Sequence, residues 1–287
     1  VVVIERGYEI AKRIKVVEEF WQTNKLDSKS NIQFGEGGAG TFSDGKLNTL
    51  VNDKEGRYQY VMETFAFFGA NKEITYVNKP HIGTDVLRTV ITNMRKKLEA
   101  LGAKFLFATE LTDINIKEGK IESIVLNNKE IMPCSGLILA IGHSARDTFY
   151  MLNKKGLAME NKPFAVGFRI MHSQSLIDKN QYGILDNRLP AASYKLTFKA
   201  SNNKGVYSFC MCPGGYVVNA SSEPNRLCIN GMSYSKRDSG IANSAIIVTV
   251  NETDYGTVLF DGIKFQRALE EKAYYLGKGL IPIETYG

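Results

Sequence analysis

The sequence predicts an α/β protein, and three observations carry that prediction. A β-branched run, Val1–Ile4, opens the chain in the manner of a strand buried in a parallel sheet. Helix-period segments at 8–21 and 85–101 then alternate with short apolar runs. Between Pro163 and Val250 the pattern changes to a series of strand-type runs. The expected organisation is an α/β part over residues 1–157, a β-rich part over 158–255, and a segment, 256–287, that heads back toward the first.

Val1–Ile4 ends at Glu5-Arg6-Gly7. In residues 8–21, Ile10, Ile14, Val17 and Trp21 fall at i, i+4, i+7 and i+11, one face of a helix. Asn31–Asn48 is a glycine-rich loop, Arg57–Phe68 a helix and Glu73–Val77 a short strand. Asp85–Leu101 is a strong helix that Thr84 or Asp85 caps and Gly102 stops. Lys104–Phe107 is the strand that follows. Residues 111–131 alternate as a hairpin around Glu118-Gly119-Lys120. Leu137–Ile141 reads as a further buried strand ending at Gly142, with Ser144 capping the next helix. The later strand runs are 164–171, 194–198, 205–212, 215–220, 226–231 and 245–250, interrupted by a short helix at 175–180. Asp261–Leu276 returns to helix.

The 287 residues are 44% hydrophobic and 23% charged, which excludes a collagen, a disordered tail and a disulfide-dense mini-protein. Lys and Arg number 36 against 30 Asp and Glu, a net charge of +6, but they are scattered. No block resembles a nucleic-acid arm, so the expected partner is a small molecule and not a nucleic acid. The four cysteines do not make a secreted disulfide framework, and the apolar runs are too short to span a membrane. A reducing cytoplasm is the default compartment, and the oligomeric state stays open. The chain opens without a methionine inside a predicted strand and stops soon after a helical pattern. It is therefore expected to be the interior of a longer protein, cut at both ends.

The segment from Gly35 to Leu47 holds five glycines. Glycine permits positive φ and lets an anion approach backbone N–H groups. Thr41 and Ser43 add hydroxyl donors and Lys46 a cation, a chemistry suited to a pyrophosphate or the polar edge of a flavin ring. The alternative is a flexible surface loop, against which Ala39, Phe42 and Leu47 stand. Glu5 closes a parallel-type strand, where an acid can hydrogen-bond both hydroxyls of a ribose. The fingerprint glycines that should precede such an acid would fall before residue 1.

Val1–Gly7, 35–47, Lys79–Asp85, Leu139–Asp147, Phe164–Gly183, Phe209–Gly215 and Asn230–Tyr234 together resemble the FAD-dependent, NAD(FAD)-utilizing dehydrogenases. That family is itself similar to the glutathione-reductase-type flavoproteins. The resemblance implies a Rossmann-like FAD-binding domain, truncated here at both ends, with an inserted β-rich α+β domain and a non-covalent FAD. It implies that Glu5 holds the adenosine ribose and that Gly37, Gly38, Ala39, Gly40 and Thr41 line the pyrophosphate and flavin. The backbone near Leu111 would meet the adenine, and Ala140, Ile141 and Gly142 would pass the diphosphate. Arg6, Gly35, Ser43 and Lys46 complete the implied cofactor set. The first glycine turn and a C-terminal glycine-rich segment are missing, so residues 1–287 alone are expected to retain no FAD.

The expected function is thus an FAD-dependent oxidoreductase of unknown substrate, with NAD(P)H as a possible electron donor. The alternatives are a non-catalytic flavin- or nucleotide-binding module, or a fragment inactive as cut. Cys212 and His172 are the catalytic candidates. Cys210 and Cys212 lie two apart, so on a strand both thiols point to one side, and Pro213-Gly214-Gly215 is expected to expose Cys212. A single reactive thiol suits this better than a strained disulfide; two small core residues are the plain alternative. His172 is either a proton donor near the flavin or a hydrogen-bonded structural histidine. The three histidines have no metal-type spacing, so no metal site is expected.

Overall fold

A computed structural model describes residues 1–47 and 53–285 of the chain; Asn48, the last residue of the predicted loop, lies outside them, as do Tyr286 and Gly287. The chain runs through β1 (Val2–Ile4), α1 (Ile10–Thr23), a 3-10 turn at Ala39–Phe42, α2 (Arg57–Phe67), a 3-10 turn at Lys72–Thr75 and α3 (Thr84–Ala100). Next come β2 (Lys104–Leu106), β3 (Leu111–Lys117), β4 (Lys120–Leu126), β5 (Glu130–Pro133) and α4 (Arg146–Lys154). The remainder holds β6 (Phe164–Ser173), α5 (Gln174–Tyr182), β7 (Thr197–Lys199), β8 (Gly205–Cys212), β9 (Gly215–Asn219), β10 (Ile229–Ser233), β11 (Ile241–Val250), α6 (Glu252–Tyr255) and α7 (Asp261–Leu276).

The α/β class holds, with mixed sheets. β1 and β2 form a parallel pair, Val2 opposite Lys104 and Ile4 opposite Leu106. β3, β4 and β5 make an antiparallel sheet whose tight turn uses positive φ at Glu118 and Gly119. The β-rich part centres on an antiparallel sheet in the order β6-β11-β8-β7, and β9 pairs with β10 in a separate hairpin. That hairpin also packs against the first part of the chain: Val218, Ala220 and Met232 share a core with Val17 of α1, Ile32 and Phe42. A second core gathers Met62, Ala70, Ile74, Ile82 and Val90 between α2 and α3. A third joins Ile114, Ile124 and Leu126 to Leu152 of α4.

Several expectations need correction. Val1–Ile4 is not buried: Val2 is 43% and Val3 37% exposed, because β2 is the one strand beside it among the described residues. Residues 73–77 form no strand; the Asn71 side chain accepts from Glu73 N–H and caps a 3-10 turn instead. Leu137–Ile141 has no strand partner among the described residues, and Ile138 is 93% exposed. Ser144 does not cap α4, since its hydroxyl meets Nδ1 of His143 at 2.6 Å. Neither Thr84 nor Asp85 caps α3: the Thr84 hydroxyl donates to the carbonyl of Thr41, and Asp85 accepts from Ser235.

Candidate functional site

At the end of β1 the chain turns on Glu5. One carboxylate oxygen, Oε1, accepts from Gly7 N–H at 2.8 Å and from Gly35 N–H at 2.9 Å. A Cβ on Gly7 would stand 2.6 Å from Gly35 Cα, so only glycine lets these two backbones touch. The Glu5 carbonyl accepts from Thr109 N–H, which brings the start of β3, and with it Leu111, to the same edge. Leu111 and Ile141 pack with Ile4 and Leu106 around the third core. Glu5, Gly35, Leu111 and Ile141 are thus brought together, whereas Ala140 and Gly142 are exposed beside them. Arg6 is not free at this edge: it pairs with Asp147 at 2.7 Å and Glu110 at 3.3 Å.

The glycine-rich loop is ordered from beneath by α1. Arg13 lies on the helix's apolar face with Ile10, Val17 and Phe20 and is fully buried. Its Nε donates to Asn31 O and its Nη2 to Ile32 O and Gly38 O, each at 2.9 Å; Nη1 donates to Glu36 O at 2.5 Å. Burial lowers its pKa to about 10, against the pull of Glu5. Any Cβ at Gly35 would collide with the Arg13 side chain, 2.3 Å from Cδ and 2.5 Å from the guanidinium Nε. The hydroxyls of Thr41 and Ser43, expected as ligand donors, instead donate to Glu36 O (3.3 Å) and Gly40 O (2.8 Å). Gly37, Ala39 and Gly40 remain exposed.

The far end of the loop meets the β-rich part. Asp44, 4% exposed, pairs with Lys46 at 2.8 Å and Arg237 at 2.7 Å, and accepts from the Ser233 hydroxyl. His81 Nε2 sits 3.3 Å from Ser233 Oγ and 3.8 Å from Asp44 Oδ1. The Lys46 ammonium reaches to 4.0 Å from Cys212 Sγ. Lys46 therefore points at Asp44 and Cys212. Four separated stretches, 44–46, 81–85, 212 and 233–237, close on one another here.

The charges follow from burial. Desolvation alone would raise the Asp44 carboxyl, but Lys46, Arg237 and the Ser233 hydrogen bond hold it below its usual range. Burial and the Arg237 cation depress His81 to about 4, so it is neutral at neutral pH. Burial pushes the Cys212 thiol up despite Lys46, so it too is neutral there. It donates to Cys210 O at 3.2 Å.

Cys210 and Cys212 do not share a face. A β-bulge places Asn243 opposite Cys212 and Ala245 opposite Phe209, and Cys210 takes φ +44°. The extra residue breaks the alternation, leaving Cys210 exposed and Cys212 1% exposed, so the following turn does not expose it. Cys212 and His172 also part company: their partners, Asn243 and Ala242, are neighbours on β11 and point to opposite faces. His172 lies 5.6 Å from the Tyr194 ring, with its pKa lowered by burial. The sequence assigns no role to Arg13, Asp44, His81, Ser233, Arg237 or Asn243, although Asp44, His81 and Ser233 fall within the segments that carry the family resemblance. An arginine on an apolar helix face was a visible signal for the first; the others needed the fold.

Residues 163–286 match the family described as FAD-dependent protein, C-terminal domain-like. This match supports an FAD-dependent protein; it includes Cys212, Ser233 and Arg237 and begins after Glu5 and the glycine loop. An uncharacterized protein of Clostridium beijerinckii (strain ATCC 51743 / NCIMB 8052) is 49% identical over 292 residues, covering 100% of this chain and 54% of that protein. The chain thus spans about half the length of the curated relative it matches. The crystal structure of tetracycline destructase Tet(51) aligns with 96% of this chain and 61% of that one at 10% identity. Its TM-score of 0.34 is too low to define a shared fold. Among the described residues no helix is long and apolar enough to cross a membrane, and no group of three or more His, Cys, Asp or Glu could hold a metal ion.

Proposed function

We propose that the chain is part of an FAD-dependent oxidoreductase, with residues 1–157 as a Rossmann-like FAD-binding domain and 158–255 as its β-rich substrate domain. The observation that carries the reading is the contact of Glu5 with Gly35. It unites an acid at the end of a parallel strand with a glycine loop, the pairing that ribose and diphosphate recognition require. The family match over 163–286 supports the same cofactor from the other end of the chain.

The residues fit the group. Glu5 Oε2 has no partner among the described residues and is available to ribose hydroxyls. A Cβ at Gly38 or Gly40 would meet nothing within 4 Å, so that side of the loop is open to a ligand. Bound FAD supplies hydride chemistry, and the protein supplies orientation and electrostatics. The 140–142 segment, with Ala140 and Gly142 exposed and Ile141 packed against the same core as Ile4 and Leu111, is the proposed neighbour of the diphosphate. NAD(P)H is the proposed electron donor, and a small molecule at the junction of the glycine loop and Cys212 the proposed substrate. There Lys46 holds a positive charge against a neutral thiol, and because the Ser233 hydroxyl gives its one proton to Asp44, neutral His81 donates its Nε2–H to Ser233 Oγ.

The purified full-length protein should show the visible bands of oxidised flavin, release FAD on denaturation, and bleach with NADH or NADPH. A protein that stays colourless after incubation with FAD overturns the reading. Bound FAD that no reductant bleaches leaves a non-catalytic flavin module.

A further inference from the structure

Arg13 makes its hydrogen bonds to four main-chain carbonyls, those of Asn31, Ile32, Glu36 and Gly38. A trans peptide carries its C=O and N–H on opposite sides. The Glu36 carbonyl faces the guanidinium, so the N–H of Gly37 faces away; the Gly38 carbonyl does likewise, so the N–H of Ala39 faces away. Both residues are exposed, and neither N–H has an acceptor among the described residues. Two outward amides without acceptors are free donors for negatively charged or strongly accepting oxygen.

We propose that Arg13 is the positioning residue of the glycine loop: by gathering four carbonyls beneath it, it holds the N–H groups of Gly37 and Ala39 outward as paired donors to acceptor oxygens of FAD. The inference rests on the flavoprotein reading but makes a separate claim. It explains why a helix places a cation on its apolar face, and why Gly35 beside that cation admits no side chain. Diphosphate oxygens and the carbonyl edge of the flavin ring offer the same chemistry, and ADP and riboflavin tell them apart.

The test uses the full-length protein, titrated with FAD, ADP and riboflavin, with hydrogen exchange followed over residues 31–47. Arg13→Gln should weaken FAD by about tenfold or more and speed exchange of the 37–40 amides. Gly40→Val should weaken FAD comparably while leaving exchange and melting temperature unchanged. Its φ is not positive and a Cβ there meets nothing within 4 Å in the protein, so the position is open toward a ligand. In the wild type, FAD should slow exchange across the loop. Parallel loss of ADP assigns the donors to the diphosphate, and parallel loss of riboflavin assigns them to the ring. Wild-type protein that binds no FAD overturns the flavoprotein reading itself. Wild-type protein that binds FAD without slowing loop exchange, or either variant binding FAD as the wild type does, overturns the role of Arg13 alone.

Discussion

At its first end the glycine-rich loop is held by a cation whose hydrogen bonds go only to backbone, Arg13 against four carbonyls. At its far end it is held by an anion that touches only side chains, Asp44 against Lys46, Arg237 and Ser233. The first fastening is local, since Arg13 lies within 25 residues of every carbonyl it hydrogen-bonds. The second joins residues more than 180 positions apart and ties the loop to the β-rich part. Backbone capture fixes the shape of the loop whatever side chains it carries. Charge capture fixes its neighbours, and answers to pH.

The largest break in this comparison is expected from Arg13→Met, which strips four carbonyls of this donor and leaves the buried ones of Asn31 and Ile32 with no other among the described residues. The loss should be roughly 3–5 kcal/mol, read from urea denaturation, with the α1–loop unit affected first. A loss under about 1 kcal/mol would mean that the loop holds its shape without the cation. Asp44→Asn comes next: Lys46 and Arg237 keep their charges but lose their counter-ion, at a cost of about 2 kcal/mol because both are partly exposed. Equal stability of Asp44→Asn and wild type would show that the far end is held by packing instead.

Acidification separates the two ends further. His81 titrates near 4 when folded and near 6.5 when unfolded, so between those values the unfolded chain holds a proton the folded chain lacks. Stability therefore falls as the pH drops from 6.5 to 4, and the Asp44 contribution is lost at still lower pH, through its depressed folded pKa. In His81→Asn the fall over the first interval should flatten while the acid limb remains; an unchanged profile would assign the proton elsewhere. The smallest effect is expected at the bend between the ends. Ser43→Ala removes two partly exposed hydrogen bonds, one to Gly40 O and one from Gly45 N–H, and should cost about 0.5–1 kcal/mol by thermal melting.

Elements with a strong internal period were legible in the sequence: α1, α3 and α7 form within a few residues of where their apolar spacing puts them. Elements that depend on a neighbour were not. Leu137–Ile141 has a strand's composition, yet composition cannot supply a hydrogen-bonding partner. The glycine loop and Glu5 could be singled out because they are dense in unusual chemistry, but their contact could not. The expectation that Cys210 and Cys212 share a face failed because a bulge leaves no mark in a run of β-formers. Asp44 stood unremarked in a glycine-rich loop because its importance comes from Arg237, 193 residues away.

Trp21 is the single tryptophan of the chain. It sits on α1 edge-on to Phe42 at 6.2 Å between ring centroids, and its indole N–H donates to Asn219 O of β9. One chromophore therefore touches the helix, the glycine loop and the distant hairpin at once. Its emission reports the docking of the β9–β10 hairpin onto α1, a long-range closure that folds on a slower clock than the helix itself. A stopped-flow refolding trace read at this residue would time the joining of the two halves without any added label.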